Sequence, residues 1–158
     1  MKNLTKIVFA VVFAAFSLSA SAQLNKAFFY YQGQRLITQD KFTEAIHYLN
    51  TLIEVDSTIA EGWFLRWVAK YYLNDLQGAK KDLSKSISKN PLFTIAYHYR
   101  AIVNNRLEKY NEAFKDLEFA LELRPEDQEI LFTRGGTYIQ TRQYNLAIQD
   151  YTRVIRSA

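Results

Sequence analysis

Arg134–Tyr151 reads RGGTYIQTRQYNLAIQDY, and the same pattern of residue types stands 34 positions earlier in Arg100–Leu117, RAIVNNRLEKYNEAFKDL. Another step back, Arg66–Leu83 reads RWVAKYYLNDLQGAKKDL. Working outward from these stretches, Ala45, Ala79, Ala113 and Ala147 form one column. Gly33, Trp67, Ala101 and Gly135 form a second, and Phe29, Trp63, Tyr97 and Leu131 a third. A fourth holds Phe42, Leu76, Tyr110 and Tyr144, and a fifth Leu49, Leu83, Leu117 and Tyr151. Pro91 and Pro125, the only prolines, share a sixth column with Ser57. An internal repeat of this length is the mark of a solenoid, in which each unit buries its apolar face only by stacking on its neighbours.

Each unit carries two helical patterns. In the third, Tyr97, Arg100, Ala101 and Asn104 recur at intervals of three and four, and so do Ala113, Leu117, Ala120 and Leu121. Leu107–Asn111 is a short polar break of the length that joins antiparallel helices. Pro125 stops the second helix, because proline lacks an amide proton and disfavours helix in the residue before it. The alanine column marks a close helix crossing, where only a small side chain lets backbones approach.

These features resemble the tetratricopeptide repeat family. The closest run is Arg134-Gly135 followed by Tyr138, Tyr144, Ala147-Ile148 and Asp150-Tyr151. Four units are expected, at about 26–59, 60–93, 94–127 and 128–158, within a repeat domain spanning 23–158. The departures are Trp67 in a column of small residues, and Lys70 and Asn104 in the column of Tyr138. The resemblance implies an all-α fold, an α-solenoid of helix-turn-helix units wound into a right-handed superhelix, with a concave groove lined by the first helix of each unit.

Residues 1–22 read as a secretory signal. Lys2 and Lys6 precede the mostly apolar run Ile7–Leu18, and Ala20-Ser21-Ala22 is a small-x-small cleavage pattern. The run is shorter than the roughly 20 residues needed to span a bilayer. The expected location is therefore outside the cytoplasm, periplasmic in a Gram-negative cell and otherwise secreted; retention as an uncleaved anchor is the alternative. Removing the segment takes Lys+Arg from 20 to 18 against 16 Asp+Glu, so the net charge falls from +4 to +2. A strongly basic nucleic-acid-binding surface is not expected at that balance.

Arg66, Arg100 and Arg134 share a column, as do Asp82, Asp116 and Asp150; the first unit has Gln32 and Tyr48 there and so lacks both. Loss of both charges together predicts an ion pair within each unit, since a lone buried charge costs several kcal/mol.

The first-helix columns left over from packing are Tyr30, Phe64, His98, Phe132; then Gln34, Val68, Ile102, Gly136; then Ile37, Tyr71, Asn105, Ile139. An aromatic and aliphatic lining suits an apolar peptide segment or a partner helix. The site residues expected for a protein or peptide partner are Tyr30, Phe64, Tyr71, His98, Ile102, Asn105, Phe132 and Ile139, with His98 exposed in the groove. Stacking of such residues between adjacent units is the competing role. None of the three columns contains lysine, so they lack the lysine and asparagine clamp by which some family members hold a C-terminal carboxylate. Ile148, Tyr151 and Ile155 recur at three and four on the last helix and form a candidate end-face contact, for assembly with a second copy or as a component of a complex.

Catalytic constellations are missing from the sequence. There is no cysteine, and His47 and His98 stand in no metal-ligand spacing. Isolated glycines make no phosphate loop. The expectation is a binding module or scaffold, not an enzyme, with no cofactor, no metal, no nucleic acid and no small-molecule substrate.

Overall fold

The computed structural model describes residues 25–156; the candidate signal at 1–22 lies outside them. All regular structure in the described residues is helical. Helix α1 covers residues 25–38. It is followed by α2 (Phe42–Val55), α3 (Ala60–Tyr72), α4 (Leu76–Lys89) and α5 (Thr94–Arg106). The remaining helices are α6 (Tyr110–Leu123), α7 (Gln128–Gln140) and α8 (Tyr144–Arg156). The pairs α3/α4, α5/α6 and α7/α8 pack most closely, and each second helix then touches the next first helix. First helices α5 and α7 also meet directly, and second helices α4 and α6 are joined by the ion pair of Lys80 with Glu112.

The turn inside each pair is built the same way four times. Asp40, Asn74, Glu108 and Arg142 take left-handed φ values of 57° to 61°. The next amide then reaches back: Lys41 to the Leu36 carbonyl, Asp75 to Lys70, Lys109 to Asn104 and Gln143 to Tyr138, at 2.8–2.9 Å. This closure satisfies helix-end carbonyls that would otherwise be orphaned. None of the four is glycine, so each carries the Cβ penalty of the left-handed region.

The second helices end before Pro91 and Pro125, where Asn90 is extended and Arg124 leaves the helical region at φ −139° and ψ 78°, since a following proline disfavours helix. Those links are tied down by the following first helix. The Trp63 indole donates to the Ser57 carbonyl at 3.0 Å, and the Tyr97 hydroxyl donates to Pro91 at 3.2 Å. Leu131 has no donor in that column; Arg153 of α8 donates to the Pro125 carbonyl at 2.7 Å. At the start of the array, Lys26 binds Asp56 at 2.6 Å, and Lys26 with Thr58 holds that carboxyl well below the usual range.

The alanine column is fully or nearly fully buried, and the glycines of the second column are sterically required. A Cβ on Gly33 would stand 2.6 Å from Leu49, and one on Gly135 would stand 2.7 Å from the Tyr151 ring. Gly136 is under no such constraint, because its nearest outside atom would lie 3.7 Å away.

The three expected ion pairs form within α3/α4, α5/α6 and α7/α8, and all are bidentate. Arg66 grips Asp82 at 2.8 and 2.7 Å, Arg100 grips Asp116 at 2.9 and 2.6 Å, and Arg134 grips Asp150 at 2.8 and 2.7 Å. The remaining guanidinium nitrogen of Arg66 reaches back to Asn50, and that of Arg100 to Ser84, so these arginines also join one pair to the preceding one. The departures at Lys70 and Asn104 acquire a role here. Lys70 lies 2.8 Å from Asp82, Asn104 donates to Asp116 at 3.3 Å, and Tyr138 lies beneath Arg134. In the first pair, Tyr48 packs against Phe28 and Phe29 instead.

Candidate functional site: an aromatic cleft on the first-helix face

The rings gathered between α3 and α5 follow from one oversized residue. Trp67 occupies a column that elsewhere holds glycine or alanine, and its larger ring, buried in one cluster with Ala79 and Leu83 of α4, also reaches α5. It lies over Tyr99 of α5 with ring centres 4.7 Å apart, flanked edge-on by Phe64 at 5.8 Å and Tyr71 at 5.6 Å. Phe64 also meets Phe93 at 4.9 Å. These rings wall a cleft of about 320 Å³ completed by aliphatic Val68, Ile95 and Ile102. The Trp67 indole nitrogen is buried and makes no hydrogen bond among the described residues.

A second depression of about 370 Å³ adjoins it between α5 and α7. Tyr99 and Ile102 belong to both, while His98, Phe132 and Thr133 line only the second. The two form one apolar track across three first helices. Glu129 stands at its α7 edge, where its charge adds to burial in raising the Tyr99 hydroxyl's pKa. Arg106 stacks on Tyr71 with its guanidinium 5.0 Å from the ring centre and donates to Asn74 at 3.1 Å.

Of the residues expected in the groove, Phe64, Tyr71, Ile102, His98 and Phe132 line this track. Tyr30, Asn105 and Ile139 line neither depression. Tyr30 packs onto the first apolar cluster, and Ile139 is exposed beyond it. His98 is corrected in its setting. It is buried, its Nε2 lies 2.7 Å from the Thr133 hydroxyl, and burial lowers its pKa. Asn105 is likewise engaged, donating to the Thr137 hydroxyl at 2.7 Å. Both polar residues fasten α5 to α7 under the track.

Tyr151 is also turned away from its expected end face. It covers Gly135 and stands 5.4 Å from the Phe132 ring, leaving Ile148 and Ile155 exposed on α8. Trp67, Tyr99 and Ile95 were missing from the sequence-based set. Ile95 had a readable signal, a large apolar residue where the second and fourth units place Glu61 and Glu129. Among the described residues no group of three or more His, Asp or Glu could hold a metal ion, and no helix is long and apolar enough to cross a membrane.

A family model described as tetratricopeptide repeat matches residues 128–158. Among curated proteins, sperm-associated antigen 1 of Rattus norvegicus is 31% identical over 87 residues, which is 55% of this chain and 10% of that protein. The chain thus spans about a tenth of the length of such relatives. Among solved structures, MamA superimposes with a TM-score of 0.80 at 18% identity, over 84% of this chain and 77% of that one. The first TPR of Spaghetti (RPAP3), bound to the HSP90 peptide SRMEEVD, superimposes with a TM-score of 0.66 at 24% identity, covering 81% of this chain and 94% of that one. The described residues thus form an all-α helical-repeat solenoid with the fold of these neighbours, and residues 128–158 match the tetratricopeptide repeat in sequence.

Proposed function

We propose that this chain is an exported interaction module of four tetratricopeptide-repeat units that holds an apolar peptide segment of a partner protein in the track across α3, α5 and α7. The observation that carries this reading is the cleft around Trp67, where Phe64, Tyr71 and Tyr99 present aromatic surface around an open volume of about 320 Å³. Preorganised rings bury a ligand side chain at low entropic cost, since their own rotamers are already held by stacking. A bulky apolar anchor in the partner fits this lining, with Glu129 and Arg106 at the margins setting orientation. A peptide bound to the similar Spaghetti domain supports a peptide as the class of ligand. The absence of lysine from the groove columns argues for side-chain anchoring in place of carboxylate capture.

The test is a peptide-display selection against the chain from Gln23 onward, run beside Phe64→Ala/Phe132→Ala after matching their circular dichroism. Selected peptides should share a bulky apolar anchor and lose about thirtyfold in affinity on the double variant, as expected for removal of aromatic hot spots. Equal affinity for both proteins would reject the track as the site. Export is tested separately by osmotic-shock fractionation of a Gram-negative host and intact mass. A periplasmic product beginning at Gln23 is expected, and a cytoplasmic product retaining Met1 would refute the signal reading.

A further inference from the structure

Helix α4 departs from its neighbouring second helices in charge. It carries four lysines and one acid, Asp82, whereas α2 has two acids with no lysine or arginine, and α6 has four acids with one lysine. Asp82 is buried against Arg66 and Lys70, so it does not offset the outer lysines. The difference lies at outer positions of the repeat. Lys80 stands in the column of Ile46, Phe114 and Ile148, and Lys85 in that of Thr51, Phe119 and Arg153. Ser88 stands where α2 and α6 place Glu54 and Glu122. One unit thus presents positive charge where α2 and α6 present apolar, hydroxyl or acidic groups.

These lysines border a depression of about 540 Å³ between α4 and the start of α6. Lys80, Lys81 and Lys85 come from α4, and Lys109 from the N-cap of α6; among the described residues no acid lines it. Glu112 takes up Lys80 from outside the lining, and that hydrogen bond, with the charge of Lys109 adding to it, lowers the Glu112 pKa. Lys81 and Lys85 are exposed and have no acidic partner among the described residues. Ser88 donates to the Lys85 carbonyl at 2.7 Å, which leaves its oxygen with acceptor capacity for a peptide N–H.

We infer that this depression is a docking site for an extended acidic segment of a partner protein that carries carboxylates on alternate residues. Lys81, Lys85 and Lys89 recur about every 6 Å along α4, at four residues of helical rise. Alternate side chains of an extended chain lie about 7 Å apart on one side, so its carboxylates meet the lysines in step. The lining offers no aromatic ring on which a nucleic-acid base could stack and no apolar side chain to enter a bilayer. A single exposed ion pair contributes little, so the segment must engage several lysines at once, and binding is sensitive to salt. The site is separate from the aromatic track and does not depend on the track's role.

The probe is a fluorescein-labelled peptide of alternating Glu and Ser, titrated by anisotropy against the chain from Gln23 onward at about 50 mM salt. Saturable binding is expected, weakened about tenfold or more by Lys81→Gln/Lys85→Gln. The control Arg35→Gln/Lys41→Gln removes the same charge from exposed positions of the first helix pair and should change affinity by less than about twofold. All four side chains are exposed, and circular dichroism checks that both variants stay folded. A peptide with Gln in place of Glu should not bind. Failure of the wild type to bind would overturn the inference, and so would equal loss in the two double variants, which would leave only net charge as the cause. Phosphatidylglycerol vesicles are the remaining arm: binding tighter than the peptide's and lost in Lys81→Gln/Lys85→Gln would overturn the partner segment in favour of a membrane surface.

Discussion

At the residue scale, the decisive groups are polar ones buried with a partner. Asp116 accepts two bonds from Arg100 and one from Asn104 in a setting almost closed to water. Burial opposes the charge on Arg100, yet the Asp116 carboxylate raises its pKa overall. Removing one partner leaves the other charge stranded, so Asp116→Ala should lower the unfolding free energy by about 3–5 kcal/mol in urea titration. The double change Arg100→Met/Asp116→Leu should cost clearly less, because no lone charge remains. His98 supplies a pH dependence of known sign. Its folded pKa is lowered by burial, against the opposing pull of Glu129 and Asp127, while the unfolded residue titrates near its ordinary value of about 6.5. Protonation therefore favours the unfolded chain. The contribution is complete above the unfolded pKa and is lost as pH falls from there toward the folded pKa. Comparing denaturation midpoints from pH 7.5 to 5 should show a fall in wild type that is shallower in His98→Gln.

At the scale of the element, the helix-pair turns carry the clearest strain. Glu108 and Arg142 hold left-handed backbone without the freedom of glycine or the tolerance of Asn74. Glu108→Gly should raise stability by about 0.5–1 kcal/mol, read as a higher thermal midpoint, since its side chain is exposed and supports no core contact. No gain on substitution would mean that the local closure already absorbs the left-handed penalty. The helices themselves are short, at 13 or 14 residues for α2 to α8, and marginal alone. Their persistence comes from apolar stripes meeting across the pairs.

For the molecule as a whole, the joints between pairs set how far order propagates. The α5/α7 joint combines the cluster around Leu117 and Leu131 with the His98–Thr133 and Asn105–Thr137 bonds. Thr137→Val keeps the volume but strands the Asn105 amide, a loss of about 1–3 kcal/mol. In a solenoid such a loss uncouples neighbours before it unfolds them. Hydrogen exchange should therefore accelerate in α7 and α8 far more than in α3 and α4. Uniform acceleration along the chain would show instead that the array unfolds as one unit.

The all-α repeat and the arginine–aspartate pairing were legible in the chain itself, because a periodic fold writes each packing constraint several times at one interval. Ala45, Ala79, Ala113 and Ala147 declare a close crossing by recurrence alone, and loss of both charges in the first unit declares the pairing. Three matters were settled only in three dimensions. His98 shares a column with exposed Phe132, yet the Thr133 hydroxyl draws it inward; a hydrogen bond to a neighbouring unit is invisible to a column. Tyr151 fills the space above Gly135, a coupling between two helices that one-helix periodicity reads as an outward face. The cleft forms where Trp67, the one large residue of its column, lies over Tyr99, and where an oversized side chain goes depends on the free volume its neighbours leave.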